Sequence, residues 1–284
     1  MFSAANLLTD SIFIATRTSH FNLTIYTIQS SLKLLLPIIL VSFGGFGVFA
    51  AVGIAASLAF LLSTLFASKW LGIRYFASVD KTVVARFWKF SSSNYVANLA
   101  NMVPILAMPT IVLNRLGAEN AGYFYLAFTI CSLLYAVAYA VSQSLFAEGS
   151  YGDESLSRLF FKAGKLVLGV MIPASGILAI GGRFILYLFN GEYQTQTYPI
   201  LVVLAIAGPS VGIYVLGTVL LRISGKGVQL IAVNILYATI ICLLSAWWAQ
   251  FGLTGVGWAW FVGNNVAGFF ALLQMKQELF PRTK

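Results

Sequence analysis

Apolar residues run along this chain in blocks, separated by short polar connections. A block of about 20 apolar residues, at 1.5 Å rise each, makes a helix long enough to cross the hydrocarbon core of a bilayer. Eight blocks of this kind are legible, at 22–43, 45–68, 92–113, 121–146, 164–182, 197–221, 227–249 and 252–274. Two connections are longer, 69–91 and 147–163. The stretch 183–189 (RFILYLF) is apolar but short, and reads as the continuation of a span or as an interfacial piece. Residues 1–21 make no span, because Asp10 and Arg17 interrupt the apolar run around Ile12 to Ala15. The pattern predicts an all-α integral membrane bundle of about eight spans.

Composition agrees. Hydrophobic residues make up 60% of the 284 and charged residues only 9%, against roughly 25% charged in a soluble domain. A water-soluble fold of this length has nowhere to hide that much apolar surface, so the excess faces lipid. Residues 1–9 lack the basic and apolar regions of a cleavable signal, and the first span is expected to act as its own insertion signal.

Charge then orients the bundle. With residue 22 on the cytoplasmic side, fifteen basic residues, from Arg17 and Lys33 to Arg282 and Lys284, fall on that side or its membrane boundary; only Arg115 and Arg183 fall outside. This positive-inside bias predicts a multi-pass protein of the inner or plasma membrane with both termini cytoplasmic. It also accounts for the net charge of +9 without nucleic acid. Single cysteines at positions 115 and 81, in a background lacking Cys131 and Cys242, should label from outside at 115. Stronger outside labelling at 81 would reverse the orientation.

The sequence repeats internally. Residues 43–51 (FGGFGVFAA) and 251–259 (FGLTGVGWA) share F-G-x-x-G-V-x-x-A at an offset of 208. Each copy lies at the short outer turn of a helical hairpin. Repeats in the same orientation imply halves related by an axis along the membrane normal. The expected organisation follows: residues 1–21 as the remnant of an earlier helix and loop, 22–68 as the last hairpin of a first lobe, 69–91 as a cytoplasmic linker, 92–274 as a six-helix lobe, and 275–284 as a cytoplasmic tail. By this symmetry about four N-terminal spans are lacking.

The stretch 87–150 opens on Phe90, Ser91 and Asn94, places Pro104 centrally, and continues with Asn114, Leu116, Gly117, Gly122, Phe124 and Ala127. Leu188-Phe189-Asn190-Gly191-Glu192-Tyr193 follows a later span. In these features the chain resembles the polysaccharide exporters and lipid-linked oligosaccharide flippases, a family within the superfamily that also holds the MATE drug exporters. The resemblance covers about residues 8–274. It implies twelve to fourteen helices in two lobes around a central cavity, and export of a polyprenyl-diphosphate-linked oligosaccharide. Its implied partners are that lipid, membrane lipids, and the glycosyltransferases and polymerase of the same pathway.

Several polar residues inside the spans invite a role. Asn94, Asn98 and Asn101 share one face of the span 92–113, and amides facing hydrocarbon are costly, so this face meets protein or water. It reads either as interhelical hydrogen bonding or as a wet cavity wall. Tyr125, Thr129, Ser132, Tyr135 and Tyr139, with Ser142, form a second stripe on 121–146, either a sugar-stacking wall or, at its outer end, an interfacial belt. Lys33 lies about 16 Å into its span at 1.5 Å per residue, beyond comfortable snorkelling, and reads as a cavity cation for a diphosphate. No buried carboxylate for a coupling ion, no metal cluster and no cofactor or catalytic motif is apparent. Cys131 and Cys242 read as small buried hydrophobes.

The expected function is therefore flipping of lipid-linked oligosaccharide by alternating access. The alternatives are a MATE-type drug exporter, which would want an acidic cavity, and an inactive short flippase. A membrane polymerase or ligase needs a large outer loop, which the short outer connections argue against.

Overall fold

The computed structural model describes residues 9–10, 12–14, 16, 18–72, 81–151, 155–189 and 191–279. Among them the regular structure is helical throughout. Six helical segments are long and apolar enough to cross a membrane, and a bent pair makes a seventh. The chain is thus a multi-pass α-helical membrane protein. It divides into two compact units, Met1–Asp80 and Lys81–Lys284.

The first unit holds helices α1 (His20–Ile39) and α2 (Gly44–Leu71), joined by a 3-10 turn at Val41–Phe43. α1 occupies the expected span 22–43, yet it falls short of the apolarity of a self-sufficient span. Asn22, Thr24, Thr27, Gln29, Ser30, Ser31 and Lys33 all lie on it, and such a helix crosses lipid only with its polar face covered. The face α2 buries is Gly47, Ala51, Ala55, Ala59, Ser63 and Ala67, a small residue at every fourth position. Small side chains at this spacing let a helix pack closely on its neighbour, and α1 packs along α2. Phe13, Ile25, Ala59 and Ala67 form the apolar centre of this unit, with Phe21 against Phe13 and Phe66.

One expectation is corrected here. Asp10 is 6% exposed and accepts a short hydrogen bond from the Tyr26 hydroxyl, while Asn22 Nδ2 donates to the Asp10 carbonyl at 3.2 Å. A buried carboxylate is present after all. In the sequence Asp10 only interrupts a short apolar run, which carries no sign of burial.

The second unit contains α3 (Lys81–Leu116), α4 (Ala118–Tyr151), α5 (Leu156–Tyr187), α6 (Gly191–Ile206), α7 (Gly208–Ile223), α8 (Gly227–Trp248) and α9 (Leu253–Gln274), closed by a single turn, α10 (Lys276–Leu279). Helices extend further than hydropathy alone predicts. α4 runs to Tyr151 and α5 begins at Leu156, so most of the connection 147–163 is helix, and 183–187 continues α5. The expected span 197–221 is broken into α6 and α7, bent by 41°. Pro209 follows Gly208 at the break and supplies no N–H to the preceding turn. At the break Gly208 lies against α4 and α5: a Cβ there would sit 2.8 Å from Ser175 Oγ and 3.0 Å from Leu134 Cδ2.

α7 is the centre of this unit, with buried residues on nearly every side of it. α4, α5 and α9 pack around it and α3 packs along α8. A ladder of rings crosses the interior. Tyr214 stacks on Tyr237 at 4.3 Å, Tyr237 meets Trp260 edge-on at 5.9 Å, and Trp260 contacts Tyr135 and Phe128 at 6.2 and 5.2 Å.

α10 is fastened by polar contacts at one end of the bundle. Lys226 Nζ lies 2.9 Å from Glu278 Oε1, Ser224 Oγ donates to Glu278 Oε2 at 2.6 Å, and Ser157 Oγ donates to the Leu279 carbonyl at 2.9 Å. Burial pushes the Glu278 carboxyl up, but the hydrogen bonds from Ser224 and Lys226 and the Lys226 charge outweigh it and hold the group below the usual value. A carboxylate depressed in the folded state stabilises above its unfolded pKa, and that contribution is lost as pH falls through the folded pKa. Proteolysis of the C-terminal turn should therefore quicken as pH drops through the acid range, and Glu278→Gln should abolish that pH dependence.

Candidate functional site

Both copies of the repeated motif build the same turn. In each, a 3-10 segment ends on a glycine with positive φ: Gly44 at 58° after Val41–Phe43, and Gly252 at 76° after Ala249–Phe251. Three residues on, a Cβ at Gly47 would lie 2.0 Å from the Leu40 carbonyl oxygen, and one at Gly255 would lie 2.1 Å from that of Trp248. These glycines are required by a backbone-to-backbone approach that no side chain fits.

The polar centre of the second unit is a cavity of about 230 Å³ between α3, α4, α7 and α8. Asn98 and Asn101 line it from α3, Tyr139, Ser142 and Gln143 from α4, Tyr214, Thr218 and Arg222 from α7, and Asn234 from α8. Their hydrogen bonds form a chain. Asn101 Nδ2 donates to the Tyr214 hydroxyl at 2.8 Å, which donates to Asn234 Oδ1 at 2.7 Å; Asn234 Nδ2 in turn donates to the Leu230 carbonyl at 2.8 Å. Beside this chain, Arg222 Nη2 donates to Asn98 Oδ1 at 3.2 Å. Arg222 Nε is buried without a hydrogen-bond partner among the described residues. Arg222 also stands in the last turn of α7, where the helix dipole favours a cation.

Chemically the cavity offers one delocalised cation, amide donors and hydroxyls, and no carboxylate among its lining residues. A planar guanidinium presents several donors at once and suits phosphate oxygens. The volume is below that of a pocket for a drug-sized molecule, roughly 300–1,000 Å³. It suits a small anionic group rather than a whole oligosaccharide.

The expected site residues distribute unevenly. Asn98, Asn101 and Tyr139 share the cavity. Asn94 instead bonds back to its own helix, Nδ2 donating to the Phe90 carbonyl one turn earlier at 2.8 Å. Tyr125, Thr129 and Ser132 lie on an exposed side of α4, and the Ser132 hydroxyl turns back to the Thr129 carbonyl. Tyr135 is 3% exposed and, contrary to expectation, does not line the cavity; its hydroxyl donates to the Leu204 carbonyl at 2.7 Å, in the last turn of α6. That carbonyl lacks an intrahelical partner because α6 stops there. Lys33 sits in the first unit, exposed, one turn beyond the buried Gln29 on the same face of α1.

Arg222, Tyr214, Gln143 and Asn234 were not anticipated. Arg222 falls at the end of an apolar block, where the charge rule alone explains a basic residue. Asn234, an amide in mid-span, carried the usual signal of an intramembrane polar residue.

No family model and no curated protein sequence matches the chain. Solved structures do. The chain is similar to an outward-facing multidrug resistance MATE family transporter of the MOP superfamily, at 17% identity and a TM-score of 0.80, over 96% of this chain and 66% of that one. It is similar to a MATE in the bent conformation at 18% identity and TM-score 0.79, over 97% and 65%. A third is a MOP superfamily transporter from Pyrococcus furiosus, described as having a binding pocket of reverse polarity that suggests a different function; it matches at 16% identity and TM-score 0.79, over 96% and 66%. At such identities the likeness establishes the fold. The chain spans about two thirds of the length of these structures, 66% of the first.

Proposed function

We propose that the chain serves in membrane export of a polyprenyl-diphosphate-linked oligosaccharide by alternating access, with the Arg222 cavity receiving the diphosphate. The observation that carries this reading is a cation lined by neutral donors, with one guanidinium nitrogen buried and unpaired. A buried N–H without a partner is costly, and a phosphate oxygen would satisfy it. In this reading the sugars, too large for the cavity, stay outside it, and the lipid tail stays in the bilayer. Lys33, exposed on α1, is assigned as a second cation for the substrate. Glycosyltransferases and a polymerase acting on the same lipid would be its working partners.

A MATE-type exporter of small molecules fits the fold equally well, since the first structure above is a multidrug transporter. The charge of the lining favours the anionic substrate, because an organic cation would be repelled by Arg222. Membrane vesicles containing the protein discriminate the two readings. They should translocate a labelled polyprenyl-diphosphate oligosaccharide and leave ethidium unmoved. Ethidium transport without oligosaccharide transport would replace this reading with the second.

A further inference from the structure

We infer a binding site for a singly anionic phospholipid in a groove between α4 and α5 of the second unit, sharing no lining residue with the Arg222 cavity. The groove measures about 720 Å³, within the range of pockets that hold lipid-sized ligands. Small residues help to line it, Ala140 and Ser144 from α4 and Ala163 from α5. Leu145 and Leu159, both buried, belong to its lining.

Its polarity is graded along the helices. The charged lining residues, Glu148 near the end of α4 and Lys162 near the start of α5, stand close to the α4–α5 connection. Lys165 is one turn further in, and helical side chains lean toward the N-terminus, so its ammonium is carried back toward Lys162. At the level of Lys165 the rest of the lining, Ala140, Val141 and Leu166, is apolar, so with the ammonium drawn back the end far from the connection presents hydrocarbon. A lipid fits this gradient in one direction: headgroup at the two lysines, acyl chain laid inward between the helices. Two lysines and one glutamate give the lining a net charge of +1, which matches a headgroup carrying one negative charge, such as phosphatidylglycerol. The leaflet is the one nearest the α4–α5 connection.

The test is native mass spectrometry of the purified protein with phosphatidylglycerol, phosphatidylethanolamine or phosphatidylcholine. Phosphatidylglycerol adducts should survive activation best. Lys162→Gln and Lys165→Gln should each weaken them by about five-fold, and the matched variant Arg183→Gln, at the far end of α5, should not. Ser144→Phe fills the groove from an exposed position and should lower phosphatidylglycerol retention with both lysines intact. Equal retention of all three lipids, survival of the adduct in the double lysine variant, or indifference to Ser144→Phe would each overturn the site. So would displacement of phosphatidylglycerol by a lower concentration of undecaprenyl phosphate, which would assign the groove to a polyprenyl tail.

Discussion

Arg222→Ala should reduce translocation of a diphosphate-linked oligosaccharide by about 10- to 100-fold, the range expected for losing a charge-assisted hydrogen bond worth roughly 1.5–3 kcal/mol. The protein should remain inserted and folded, because among the described residues the Arg222 side chain makes one hydrogen bond, to Asn98. Arg222→Lys keeps the charge and loses the fork, so it should retain an intermediate rate. Asn98→Ala frees the guanidinium from its positioning contact and should cost less than Arg222→Ala. Transport rates in vesicles, normalised to inserted protein, check all three. A wild-type rate in the alanine variant would remove Arg222 from the mechanism.

The second large effect concerns the repeated turn. Gly255→Ala drives a methyl group to within 2.1 Å of the Trp248 carbonyl oxygen, and Gly47→Ala does the same at Leu40. Backbone cannot rotate aside as a side chain can. Overpacking of this kind costs roughly 1–3 kcal/mol, a fall of about 2–12 °C in the midpoint for a unit the size of the second, and more for the smaller first unit. Gly53→Ala, in the same helix as Gly47 but with open space at its Cβ, should be neutral or slightly stabilising. Thermal aggregation in detergent measures the three. If Gly47→Ala and Gly255→Ala behave like Gly53→Ala, the two turns do not have the shared geometry described here.

Those turns were legible because glycine is specified by backbone geometry, and the same geometry leaves the same letters 208 positions apart. The helices were legible because hydrocarbon demands a long apolar block. Their ends were not, since a helix that runs on past its apolar block, as α4 does to Tyr151, no longer follows hydropathy. The break at Ala207 was hidden for a related reason: both halves are apolar, and hydropathy does not register a bend. Gly208-Pro209 was the available sign.

The α4 stripe shows where spacing misleads. At about 100° per residue, steps of three and four do not keep to one line, and Ser142 stands about 100° around α4 from Tyr125. Its outer half stays exposed, Tyr135 turns into the packed interior, and Tyr139 and Ser142 reach the cavity. Counting polar residues at spacings of three and four found the stripe without locating its destination. Arg222 escaped notice because a basic residue at the end of an apolar block is already accounted for by the positive-inside rule. Only the approach of α3 to α7 makes it a partner of Asn98.

The most direct test places a photo-crosslinking residue at Gln143, an exposed member of the cavity lining that makes no part of its hydrogen-bond chain. In membranes supplied with labelled polyprenyl-diphosphate oligosaccharide, this position should crosslink to the lipid-linked sugar. Excess unlabelled lipid should compete the crosslink away, and Arg222→Ala should weaken it. Crosslinking from other positions but never from 143, or a crosslink indifferent to Arg222, would contradict the claim that this cavity receives the diphosphate.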